Sequence, residues 1–188
     1  MRNVFTLGMF LLVTACATLP PDCAGLPGGG HYCLQESNAN TTFSIQQKVE
    51  ARFKQHRETL ISDIESDSQG IQFVALTPFG QKVVHVQYDN KTATAIRLPD
   101  NRIQPAMLLA MLQLTLWPES AVRRGLSSQY TLTESATQRR ILLGEEVIID
   151  IRHEAAPAPY SNVHLLMPTA DLELDIQMLN ADNPAPTP

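Results

Sequence analysis

Residues 43–54 alternate with period two. Phe43, Ile45, Val49, Ala51 and Phe53 are apolar at odd positions, with Gln47 the only exception, and Ser44, Gln46, Lys48, Glu50, Arg52 and Lys54 are all polar. Successive side chains of a strand point to opposite faces, so this run specifies a sheet with one buried and one wet face. A parallel sheet is covered on both sides, so the pattern favours an antiparallel one. Further strand patterns follow at 59–65, 71–77, 81–88 and 92–98. The turn signals Asp67-Ser68-Gln69-Gly70, Pro78-Phe79-Gly80 and Asp89-Asn90-Lys91 separate them, as a meander requires.

The period then changes. Residues 104–116 hold Met107, Leu108, Leu109, Met111, Leu112, Leu114 and Leu116, with Pro105 at a position that suits a first helical turn. A helix apolar on most of its surface is buried on several sides. Trp117-Pro118 stops it, and a short helix is expected over 119–124, ending at Gly125. Strand patterns resume at 130–135, 139–143, 146–152, 162–167 and 172–178. The last has Leu172, Leu174, Ile176 and Met178 facing inward. The expected class is mainly β with helices (α+β): one curved antiparallel sheet, an open barrel, covering a central apolar helix. Incomplete closure over such a helix leaves a hollow of the kind that holds lipids or small molecules.

Residues 1–15 carry one positive charge, Arg2, and an apolar run too short to span a bilayer but of the length of a secretory leader. The run ends in Val13-Thr14-Ala15-Cys16, which resembles the lipobox of bacterial lipoproteins; the alternative is an ordinary leader with a chance cysteine. The resemblance implies cleavage before Cys16 and acylation of its thiol. With Ala17 rather than aspartate in the sorting position, it also implies the periplasmic face of the outer membrane. Each buried methylene of such an anchor contributes about 0.8 kcal/mol. Residues 16–42 read as a tether with Pro20-Pro21 and three consecutive glycines, residues 43–180 as one domain, and residues 181–188 as a disordered, Pro-rich tail.

Loss of Arg2 with the leader leaves 13 basic against 19 acidic residues, −6 formally. With no basic stripe, nucleic acid is not an expected partner. Two cysteines remain, Cys23 and Cys33, joined by a glycine-rich segment. In an oxidising compartment such a pair favours a disulfide. The alternative is a metal site with His31, which lacks a fourth ligand. No further metal motif, nucleophile elbow or cofactor motif is present. The remaining histidines are scattered, and Arg123-Arg124 and Arg139-Arg140 read as solvated pairs, with contact to anionic headgroups the other possibility.

Taken together, several features resemble the LolB family, outer-membrane lipoproteins that receive lipoproteins from a soluble carrier and insert them in the membrane. They are the lipobox, the hairpin Leu76-Thr77-Pro78-Phe79-Gly80-Gln81, the run Tyr88-Asp89-Asn90-Lys91-Thr92-Ala93-Thr94-Ala95, and the helix leading through Trp117-Pro118 to Arg124-Gly125-Leu126. The likeness spans roughly residues 43–180. It implies an open β-barrel with a helical lid and a cavity for acyl chains. The cysteine pair and the single tryptophan depart from that pattern. They point to a side family of lipoproteins often encoded with aryl-polyene biosynthesis genes, and so to an aryl-polyene-type lipid as an alternative cargo.

Phe79 is the expected membrane-contact residue, because the resemblance implies an exposed apolar side chain in this loop; folding back onto the core is the alternative. The expected cavity-lining residues are Met107, Leu108, Met111, Leu112 and Leu114 on the helix, and Ile45, Val49, Phe53, Val84, Val86 and Ile149 on strands. Ordinary core packing produces the same pattern. The functional expectation is a non-enzymatic lipoprotein that binds a hydrophobic cargo and aids its transfer or insertion. Its partners would be the bilayer, a lipid or acylated cargo, and a periplasmic LolA-like carrier. The rival is a tethered scaffold with a solid core. An enzyme with a spatially assembled site leaves no local trace to weigh.

Overall fold

The computed structural model describes residues 19–38 and 41–182. Cys16 and the leader lie outside the described residues. A small hairpin comes first, β1 (Cys23–Gly25) and β2 (His31–Cys33), closed by the Cys23–Cys33 disulfide. Five strands follow: β3 (Phe43–Phe53), β4 (His56–Asp67), β5 (Gly70–Leu76), β6 (Lys82–Tyr88) and β7 (Ala93–Arg97). Next come α1 (Pro105–Leu116) and α2 (Glu119–Gly125), then β8 (Tyr130–Glu134), β9 (Gln138–Leu143), β10 (Glu146–His153), β11 (Asn162–Met167) and β12 (Leu172–Asp182).

The local chemistry explains the breaks. Asp67 Oδ1 accepts the backbone N–H of Gln69 at 2.7 Å and of Gly70 at 3.2 Å, forming the β4–β5 turn. Gly70 has φ +147°, and a Cβ there would lie 1.8 Å from the Tyr88 carbonyl oxygen, so only glycine fits. Pro105 occupies the first turn of α1, and Trp117-Pro118 ends it with extended backbone.

The ten long strands form one antiparallel sheet in the order β7-β6-β5-β4-β3-β12-β11-β10-β9-β8. The last strand, β12, pairs along the whole of β3, the first long one, joining the two meanders. The sheet is not closed, because β7 and β8 end it without pairing to each other. It is nonetheless strongly bent. Flat, ten strands would lie about 43 Å across, whereas α1 has 12 residues and is about 18 Å long. Yet β7 at one edge touches α1, and Arg139 on β9, beside the other edge, hydrogen-bonds the C-terminal end of α1. Both flanks therefore wrap the helix.

Three expectations need correction. The tether was expected to extend through residue 42, but Ala24, Leu26, Tyr32 and Leu34 are buried in the main core, so the disulfide hairpin is part of the domain. The reason is long-range: Tyr32 and Gln35 bond to Gln113 on α1, a contact no periodicity reveals. Arg139 was expected to be solvated, but it is 2% exposed. Its guanidinium pairs with Glu134 at 2.6 and 2.8 Å and donates to the carbonyls of Leu114 at 2.6 Å and Trp117 at 2.9 Å. These carbonyls at the helix end have no partner within the helix, and a cation satisfies them well. β12 runs to Asp182, past the expected start of the tail, and the rest of the tail lies outside the described residues. Among the described residues no helix is long and apolar enough to cross a membrane.

Candidate functional site: an apolar hollow beneath the helix

The inward residues of seven elements converge on a hollow of about 420 Å³ under α1. β3 contributes Gln47, Val49 and Ala51, and β4 contributes Leu60, Ser62 and Ile64. Phe73 and Ala75 come from β5, and Val84 from β6. The other wall is Val163, Leu165 and Met167 on β11 with Leu172, Leu174 and Ile176 on β12. Ala170, in the short turn between those two strands, completes it. The roof is Met107, Leu108, Met111, Leu112, Thr115 and Leu116. At 100° per residue these six helix positions form one stripe, and the opposite side of α1 packs on the disulfide hairpin. The hollow exists because a bent sheet meets only half of an almost wholly apolar helix.

Only Gln47, Ser62 and Thr115 are polar among the lining residues, and none is titratable. Thr115 Oγ1 donates to the Met111 carbonyl at 2.8 Å, one turn back, and so presents its methyl side outward.

The strand register brings the turns at residues 54–55, 78–80, 144–145 and 168–170 to one end of the sheet. The hollow opens towards this rim. Along β3, Gln47 is 5% exposed, Val49 and Ala51 are half-buried, and Phe53 is 47% exposed. On β4, exposure likewise rises from Ser62 through Leu60 to the hairpin. Phe79, 98% exposed, projects from the same rim. Gly80, at φ +81°, provides the left-handed residue that the tip requires. Lys54 Nζ lies 5.3 Å from the Phe53 ring centroid, so the rim combines aromatic and cationic groups.

Of the expected lining residues, Val49, Val84, Met107, Leu108, Met111 and Leu112 surround the hollow. Ile45, Val86, Leu114 and Ile149 do not. Each is at most 2% exposed and packed in solid core. Ile45 and Val86 lie two residues farther from the rim than their lining neighbours, and Leu114 is on the flank of α1 turned away. Phe53 does not line it either, because its strand has left the covered part of the sheet by that position. The lining residues of β11 and β12 were not singled out beforehand, although the alternation of Leu172, Leu174 and Ile176 carried the signal.

The thiols of Cys23 and Cys33 are bonded to each other, so they form no metal site with His31. Among the described residues, His164, Glu173 and Asp175 alone have metal-ligand spacing. They sit on the outer face of β11 and β12. His164 Nδ1 already bonds Asp175 at 2.8 Å, and Arg52 pairs with Glu173, so these side chains are engaged with one another in a surface network.

Fold and site together define an α+β domain built on one large open antiparallel sheet, with an apolar hollow under its helix. The chain belongs to the family described as protein of unknown function DUF3261, whose model matches residues 44–180. No curated protein matches it. The matched stretch contains every lining residue, and the disulfide hairpin precedes it.

Proposed function

We propose that this protein is a non-enzymatic lipid carrier: an outer-membrane lipoprotein, anchored through Cys16 at the periplasmic face, that takes a hydrophobic cargo into the hollow and aids its transfer into the bilayer. The resemblance to the LolB family suggests lipoprotein acyl chains delivered by a LolA-like carrier. The resemblance to lipoproteins encoded with aryl-polyene genes suggests a polyene-type lipid instead. An open sheet bent over an apolar helix supports the LolB-like reading of the fold.

The hollow itself carries the proposal. A hollow of about 420 Å³, open at the rim, leaves its apolar lining short of packing partners. A chain whose only task was to present a surface would gain by filling it. Instead Met107, Leu108 and Met111 stand half-buried around free space, and methionine adapts to irregular apolar guests. Phe79 supports delivery, since an exposed phenylalanine gains about 2–3 kcal/mol on entering an apolar phase, and it stands on the rim where the hollow opens.

The probe N-phenyl-1-naphthylamine fluoresces on leaving water. The protein should bind it saturably and release it to dodecyl lipids. Met111→Trp, which intrudes into the hollow, should weaken binding while the fold persists by circular dichroism. Absence of saturable binding to the unaltered protein would overturn the carrier reading.

A further inference from the structure

Gln47 interrupts the apolar face of β3 at the one place where the alternation demands an apolar side chain. It lies inside the hollow, at the inner end of the β3 lining, opposite Ser62 on β4. Its carboxamide makes no hydrogen bond to a described residue and is open to the hollow rather than sealed from it. The Ser62 hydroxyl reaches the Gln47 backbone carbonyl at 3.5 Å, a long and weak bond that leaves the side-chain amide unmet.

The other buried glutamine shows what a structural role looks like in this fold. Gln113 accepts from the Tyr32 hydroxyl at 3.0 Å and the Gln35 N–H at 2.8 Å, and donates to the Gln35 carbonyl at 2.8 Å. The Gln47 amide instead meets only what occupies the hollow, where a leucine would have continued the apolar pattern. An unmet donor and acceptor facing free space, with a hydroxyl beside them, is a site waiting for a complementary group.

We infer that Gln47, with Ser62, is the polar anchor of the hollow and receives the neutral carbonyl of a long-chain ester or amide. This rests on the carrier reading and specifies its ligand. The ligand is neutral because no lysine, arginine or histidine lines the hollow. An ionised carboxylate placed there would lose its hydration with no counter-ion. The ligand enters carbonyl first. The amide lies at the inner end, and the acyl chain runs past Val49 and Ala51 to the rim that carries Phe53 and Phe79.

Displacement of N-phenyl-1-naphthylamine by methyl dodecanoate, by dodecane and by dodecanoate at pH 8 tests this. Methyl dodecanoate should compete best against the unaltered protein. In Gln47→Leu its affinity should fall about ten-fold, while that of dodecane stays the same or rises and the probe still binds. The apo variant should melt no lower than the unaltered protein, because no side-chain bond within the fold is lost. A merely structural Gln47 would instead lower the melting temperature and weaken all ligands alike, and that result overturns the inference. Equal affinity for methyl dodecanoate in both proteins overturns it too, and so does a preference for dodecanoate. Failure of the unaltered protein to bind any of them, probe included, overturns the carrier reading itself.

Discussion

The Tyr32 hydroxyl donates to Gln113 Oε1 at 3.0 Å, and through this bond the disulfide hairpin holds the outer side of α1. Gln35 completes the clamp with both backbone groups, each at 2.8 Å. The helix is therefore pinned on the side away from the hollow, leaving its Met107–Met111 side free to face a guest. Gln113→Leu would leave the Tyr32 hydroxyl and two backbone groups unmet. It should destabilise the protein by about 3 kcal/mol, read by chemical denaturation, whereas Tyr32→Phe should cost roughly 1 kcal/mol.

Arg139 holds the same C-terminal end of α1 from the β9 side, through the carbonyls of Leu114 and Trp117. Replacing it with methionine strands two helix-end carbonyls and the Glu134 carboxylate, so stability should fall by about 3 kcal/mol. Arg123 pairs with Glu119 one turn away on the exposed side of α2 and provides the control. Arg123→Met should change stability by less than about 1 kcal/mol. Equal effects of the two substitutions would show that the buried network is not what holds the helix end.

Phe79 contributes nothing to the core, so Phe79→Glu should leave the melting temperature unchanged and slow delivery of bound probe to vesicles. Phe79→Trp gives a direct readout. The native Trp117 is 1% exposed and already shielded, so any blue shift on adding anionic vesicles reports position 79. No shift would mean the rim does not meet the bilayer.

Alkaline pH should unfold the domain. Burial raises the Tyr32 hydroxyl above its ordinary range and pushes Tyr88 up to about 12. It also raises Tyr160. A group whose folded pKa lies above its unfolded value, about 10 for tyrosine, stabilises the fold fully below pH 10. That contribution is lost as pH climbs through the folded value. Stability should therefore decline from about pH 10 upward. Tyrosinate absorbance should appear together with loss of structure. Smooth ionisation of Tyr32, Tyr88 and Tyr160 in a folded protein would contradict this.

Much of the scaffold was legible because it follows period. The alternation of β3 and β12 and the proline-bounded apolar helix placed every long element to within a few residues, and the even pair Cys23 and Cys33 suggested the bridge. What stayed hidden depends on contacts distant in sequence. Leu114 and Met111 are equally apolar, yet one packs on solid core and the other on free space, a difference decided by where the bent sheet stops touching α1. Arg139 reads like any surface arginine until its partners at Glu134, Leu114 and Trp117 are in place. Gln47 was visible as an exception in a pattern, and only the hollow around it gives that exception meaning.

Whether a guest occupies the space under α1 is tested most directly by methyl NMR of protein labelled at the methionine ε-carbon, titrated with methyl dodecanoate. Met107, Met111 and Met167 line the hollow. Their three resonances should shift and saturate together at one equivalent. Absence of saturable shifts at these three methionines would contradict a ligand in the hollow.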